Sequence, residues 1–182
     1  MVWNLPNSLT ALRIALIPFF VGFAHVPGRW GLIFSTAFFG LAALTDWADG
    51  YFARQHGLAT NFGRFFDPIA DKLLVISALV LLVGFQRAPL LLVMVTLARE
   101  VMVMALRERM AGLGRPVPVS RGAKWKTGFQ MTAILMLLVQ DGLMDVPLQQ
   151  IGLVFLYVST TFSIWSGFRY FLEAWPMIQK NN

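Results

Sequence analysis

The sequence predicts an all-α integral membrane protein with six transmembrane helices and both termini cytoplasmic. Hydrophobic residues make up 57% of the 182 residues and charged residues 13%, against about 25% charged in soluble domains. Six apolar stretches follow one another with short breaks between them. Lys and Arg gather in alternate breaks. Too little polar sequence remains to coat six buried helices of a soluble protein. Disorder needs the opposite balance of apolar and charged residues. Cysteine is absent, which excludes disulfides, thiolate metal sites and thiol nucleophiles. The net charge of +6 suits anionic lipid head groups or an anionic substrate.

The stretches run over about 7–25, 30–53, 68–86, 88–108, 123–140 and 147–172. The start has no basic n-region and no small-residue cleavage site, so no removable signal peptide is expected. Asn7, Ser8, Leu9 and Thr10 after Pro6 read as a cap entering the first span. Only the last stretch holds an uncharged run above about 18 residues, from Val146 to Phe168. The others reach spanning length by extending into charged flanks. Trp30 to Asp46 covers about 24 Å of helix and Asp71 to Gln86 about 22 Å, against a hydrocarbon core of about 30 Å. Acids at 46–49 and at 67–71 therefore lie at similar depth, near one face.

Orientation follows from basic residues in short loops. Segment 54–72 carries Arg54, Arg64 and Lys72. Segment 107–126 carries Arg107, Arg109, Arg115, Arg121, Lys124 and Lys126. The opposite loops carry Arg29 and Arg87. Nine against two places the second and fourth loops in the cytoplasm, and six spans then put both ends inside. No repeat or linker divides the chain, so one domain over 1–182 is expected.

Charges inside spans are costly and usually functional. Asp46 and Asp49 stand three apart, and Asp67 and Asp71 four apart, so each pair shares a helix face. Two antiparallel helices with a short loop would turn these faces toward each other. Four carboxylates without His or Cys suit hard divalent ions, Mg²⁺ or Mn²⁺. Four exceed what one magnesium usually takes, so two ions sharing aspartates is the economical arrangement, and such a pair serves phosphoryl transfer. The structural alternative pairs these acids with Arg54 and Arg64. Gly50 and Gly63, inside the acidic run, would let a ligand approach the backbone closely.

The run D-x2-D-G-x2-A-R-x8-G-x3-D-x3-D, filled by Asp46, Asp49, Gly50, Ala53, Arg54, Gly63, Asp67 and Asp71, resembles the signature of the CDP-alcohol phosphotransferase family. Asn4 to Arg13, Ala98-Arg99-Glu100 and Lys124-Trp125-Lys126-Thr127 extend the resemblance over essentially the whole chain, toward bacterial members that make phosphatidylglycerol phosphate. It implies six helices, a homodimer in the bacterial cytoplasmic (inner) membrane, and a site open to the cytoplasm. Asp46, Asp49, Asp67 and Asp71 would hold two divalent ions, and Asp71 would also be the catalytic base. Asn7, Thr10, Gly50, Ala53, Arg54, Thr60 and Gly63 would line the CDP-diacylglycerol site. Arg107, Lys124 and Lys126, with Arg99 as an addition, would bind the phosphate of sn-glycerol 3-phosphate. Ala123 departs from the family pattern, which has Gly there.

The implied reaction joins CDP-diacylglycerol to sn-glycerol 3-phosphate, giving phosphatidylglycerol phosphate and CMP. Lysines at 124 and 126 with Arg107 suit an acceptor that carries its own phosphate. The same acidic run would serve a cardiolipin, phosphatidylinositol phosphate or phosphatidylserine synthase. A cation transporter would use the acids but leave Gly50, Arg54 and the basic cluster without a role. No nucleic-acid partner is expected. Arg99 reads equally as a phosphate contact or as a partner of Glu100 or a buried Asp. Arg109, Arg115 and Arg121 read as topology and lipid-surface charge, and His25 and His56 as interfacial. The pairs Phe19-Phe20, Phe38-Phe39 and Phe65-Phe66 read as lipid-facing or core packing.

Overall fold

A computed structural model describes residues 5–56, 61–112, 114, 121–139 and 146–179; the side chains at 5, 6, 47, 49–56, 61–65, 121, 123, 124 and 176–179 lie outside that description. The described residues form six α-helices and no strand: α1 Leu5–Ala24, α2 Arg29–His56, α3 Asn61–Gly84, α4 Leu90–Gly112, α5 Arg121–Val139 and α6 Leu148–Gln179. Each apolar stretch coincides with one helix, but at their charged ends the helices outrun the stretches. α3 begins at Asn61, where hydropathy suggested 68, and α6 continues beyond 172. Backbone hydrogen bonding does not stop where side chains turn polar, and Asp, Arg and Lys inside a helix cost well under 1 kcal/mol each. Lys72 therefore stands inside α3, Arg107 and Arg109 inside α4, and Lys124 and Lys126 inside α5. The charge count had placed all of these in loops.

α1 and α2 form a hairpin. His25 N–H donates to the Gly22 carbonyl and Val26 N–H to that of Phe23, closing the last turn of α1. Gly28, at φ +86°, then turns the chain in a conformation that costs other residues more. α1 also packs on α3, α5 packs on α6, α4 on α6, and α2 on α5. Among the described residues α1 lies against both α2 and α3, which touch each other less.

α5 and α6 run antiparallel in close contact through two glycines. A Cβ on Gly122 would sit 2.7 Å from the Trp165 ring, and one on Gly152 would sit 3.0 Å from Leu137. Small residues at such crossings let helices approach closely.

The bundle has an apolar end and a polar end. Phe20, Phe39, Leu74, Leu79, Leu82, Val93, Ile134, Leu137, Leu138 and Leu156 form one buried cluster. They come from the later halves of α1, α3 and α5 and the earlier halves of α2, α4 and α6. Asn7, Thr10, Arg13, Lys126 and Ser166, also buried, come from the opposite halves, and the buried Glu100 and Ser163 stand at the middle of α4 and α6. Of the phenylalanine pairs, Phe20 and Phe39 are fully buried and meet at 5.6 Å, whereas Phe19 is exposed. His25 is exposed, with Nδ1 2.8 Å from the Val21 carbonyl. The exterior is apolar: Leu91, Met94 and Met102 on α4 and Val154, Trp165 and Phe168 on α6 all lie open. Apolar surface on this scale marks a membrane or partner contact. By length and composition α1, over Asn7–Ala24, and α6, over Leu148–Trp175, suffice to cross a bilayer.

Candidate active site

The site starts on α1. Asn7, Thr10 and Arg13 recur every three residues along one side of the helix, and all three are buried. A buried guanidinium needs a counter-charge. Arg13, fully buried, finds one in Asp46 of α2, with Nη1 2.9 Å from Oδ1. One turn earlier, the Thr10 hydroxyl donates to Asp67 Oδ1 of α3 at 2.5 Å. α1 thus holds one acid from each of its two neighbours.

Asp71 follows Asp67 by one turn of α3, with Pro68 between them inside the helix. Asp46 lies within electrostatic range of Asp71, Asp67, Arg13 and Lys72. Three of the four predicted acids therefore share one neighbourhood, reached from two helices. Asp49 belongs to α2, one turn beyond Asp46, and its side chain lies outside the described residues. The same holds for the side chains of Ala53, Arg54 and Lys124, and for the surroundings of Gly50 and Gly63. Thr60 lies outside the described residues altogether.

A basic cluster adjoins the acids. Lys72 Nζ sits 3.3 Å from Asp71 Oδ2 and 2.8 Å from Glu100 Oε2. Glu100, 4% exposed, also pairs with Lys126 of α5, itself buried, and lies 3.7 Å from Arg99 Nη1. Lys126 is in electrostatic range of Lys72, Arg99 and Asp71. A chain of charges runs from Asp71 through Lys72 and Glu100 to Lys126, across α3, α4 and α5.

Arg99 turns toward α6. Its Nε donates to the Ser163 carbonyl at 2.8 Å and its Nη2 to the Ser166 hydroxyl at 2.7 Å. Gly167 leaves room for it, since a Cβ there would lie 3.1 Å from Arg99 Cγ and Nε. Two of its three nitrogens thus clamp α4 to α6, and the third lies 3.7 Å from Glu100. Arg107 is exposed, roughly 12 Å further along α4, and within electrostatic range of Arg99.

The donor chemistry fits a hard divalent cation. The acids offer oxygen alone, and Thr10 and Arg13 orient two of them. Among the described residues no three metal-ligating side chains are gathered into a ready cage, and Asp49 lies outside that set.

Three residues of the cluster were not among the site residues expected from the sequence: Arg13, Lys72 and Glu100. Two carried a legible signal. Arg13 and Glu100 are charges inside otherwise apolar stretches, where each needs a partner or a task. Lys72 was masked by its place among the cytoplasmic charges.

Residues 3–165 match the family profile described as CDP-alcohol phosphatidyltransferase. The chain is 39% identical to a CDP-diacylglycerol–glycerol-3-phosphate 3-phosphatidyltransferase of Bacillus subtilis, over 100% of both chains. It is 41% identical to a Pseudomonas fluorescens protein of the same name, over 97% of this chain and 92% of that one. A Haemophilus influenzae protein, again of that name, is 39% identical over 96% and 95%.

Proposed function

The chain belongs to the CDP-alcohol phosphatidyltransferase family, and from that premise we propose that it transfers the phosphatidyl group of CDP-diacylglycerol to sn-glycerol 3-phosphate, giving phosphatidylglycerol phosphate and CMP. The reaction belongs to phospholipid biosynthesis. The observation that carries this reading is the adjacency of the Asp46–Asp67–Asp71 neighbourhood to the buried Lys126. The first suits a diphosphate with its counter-ions, the second a phosphate on the acceptor. The relatives' shared name supports the same pair of substrates.

Asp46, Asp49, Asp67 and Asp71 would hold two divalent ions, Mg²⁺ or Mn²⁺, which would neutralise the diphosphate and the charge that builds on departing CMP. Thr10 and Arg13 fix the Asp67 and Asp46 carboxylates, so little reorganisation remains when charge develops. Asn7, Gly50, Ala53, Arg54, Thr60 and Gly63 would shape the liponucleotide site. Lys126, with Lys124 and Arg107, would bind the acceptor phosphate and bring its C1 hydroxyl to Asp71. Asp71 would take the hydroxyl proton as that oxygen attacks the diphosphate. Because a lysine ammonium recognises phosphate as a point charge, uncharged alcohols would bind poorly.

The family setting and the apolar exterior support a membrane protein. We place six spans over α1 to α6 in one domain covering 1–182, both ends on the cytoplasmic side of a bacterial inner membrane. The polar end of the bundle then faces the cytoplasm, where the acceptor is found. A homodimer is the expected assembly.

The test supplies the full chain, in detergent or vesicles, with CDP-diacylglycerol, Mg²⁺ and one acceptor at a time. CMP release with glycerol 3-phosphate is expected. Release with phosphatidylglycerol, inositol phosphate or serine, and none with glycerol 3-phosphate, would reassign the acceptor.

A further inference from the structure

Glu100 stands at the centre of the charged cluster yet has no part in the mechanism above. It is 4% exposed. Its two oxygens meet different partners: Oε2 the Lys72 ammonium at 2.8 Å, and Oε1 both Lys126 and, at 3.7 Å, Arg99. The three cations belong to α3, α4 and α5, and both Lys72 and Arg99 are in electrostatic range of Lys126. Like charges this close repel, and low dielectric magnifies the repulsion. One carboxylate among three cations offsets that repulsion and still leaves the group net positive.

We propose that Glu100 is the positioning residue of the acceptor site: it holds Lys126 and Lys72 in register, so that a phosphate seated on Lys126 puts its hydroxyl against Asp71. This rests on the transferase reading above and adds a residue to it. The geometry distinguishes it from a plain structural acid. Arg99 is anchored to α6 through Ser163 and Ser166 and offers Glu100 a longer contact, so the helix clamp does not need Glu100. Its two shorter contacts go to lysines. One of these, Lys72, also touches Asp71 at 3.3 Å. An ammonium has three donors, so Lys126 can keep Glu100 and still present N–H groups to a phosphate. Lys72 ties the acceptor cradle to the base through its contacts with Glu100 and Asp71.

The test compares wild type, Glu100→Gln, Glu100→Asp and Lys126→Ala as full chains with Mg²⁺. Gln keeps the shape and loses the charge. Glu100→Gln should raise the KM for glycerol 3-phosphate about tenfold or more, and lower kcat several-fold because the hydroxyl is held off line. The KM for CDP-diacylglycerol should stay within about twofold, and Glu100→Asp should recover part of the loss. A fall in the acceptor KM would overturn the proposal, since Glu100 would then be an anion competing for Lys126. Equal losses toward both substrates, with a lowered unfolding temperature and no recovery by Asp, would also overturn it, as a role in folding. Lys126→Ala separates this inference from its premise. If it too leaves the acceptor KM unchanged, the acceptor site is misplaced. If it raises that KM and Glu100→Gln does not, only the role of Glu100 falls.

Discussion

The Thr10 hydroxyl on α1 donates to the Asp67 carboxylate on α3 at 2.5 Å, across a sequence separation that no local pattern predicts. A short bond to a carboxylate is of the stronger kind. Thr10→Val keeps the shape and removes the donor. Hydrogen bonds to charged groups contribute about 1.5–3 kcal/mol, so kcat/KM for the liponucleotide should fall roughly tenfold to a hundredfold. Thr10→Ser should stay near wild type. Steady-state CMP release measures both, and an unchanged Thr10→Val would show that Asp67 needs no orienting.

Arg13 is fully buried and pairs with Asp46, which is 38% exposed. Arg13→Met replaces the guanidinium with an apolar chain of similar reach. Asp46 keeps access to solvent, so the loss should be about 1.5–3 kcal/mol rather than that of a wholly buried pair. A lowered unfolding temperature of the purified chain is the expected outcome. Added divalent ion should restore part of it, by supplying positive charge near Asp46. No shift in the unfolding temperature would mean that the pair contributes nothing to the fold.

Asp71 lies between the acids and Lys72. Asp71→Asn should cut turnover by about a hundredfold or more, the range for a lost general base. The helical circular dichroism should be unchanged, because the substitution is close to isosteric. Chelation of wild type should stop turnover too, and Mg²⁺ should restore it. Appreciable turnover by Asp71→Asn would remove the base role and leave the residue as at most an ion ligand.

Gly122 and Trp165 bring α5 against α6. A methyl group on Gly122 would stand 2.7 Å from the ring, so Gly122→Ala should destabilise by about 1–3 kcal/mol through overpacking. Lys126 begins the next turn of α5, so the acceptor KM should also rise. Trp165→Leu in the same chain should recover both losses. Failure of that recovery in thermal unfolding would place the strain elsewhere.

Hydropathy and charge spacing were enough to find six helices, because a helix is made of local hydrogen bonds and its neighbours in sequence are its neighbours in space. The same locality put Asp46 and Asp49 on one face of α2, and Asp67 and Asp71 on one face of α3. Where those faces point was a different matter. Asp46 of α2 comes within electrostatic range of Asp67 and Asp71 of α3, but α1 packs on both helices and supplies Arg13 and Thr10 to one acid of each. Likewise Arg99 and Glu100 are adjacent in sequence, but successive helical side chains diverge, so one reaches α6 while the other collects lysines from α3 and α5. Such pairings depend on how whole helices settle against one another. That choice is made by the summed packing of the apolar end, which involves residues far apart in sequence from the charges it arranges on other helices.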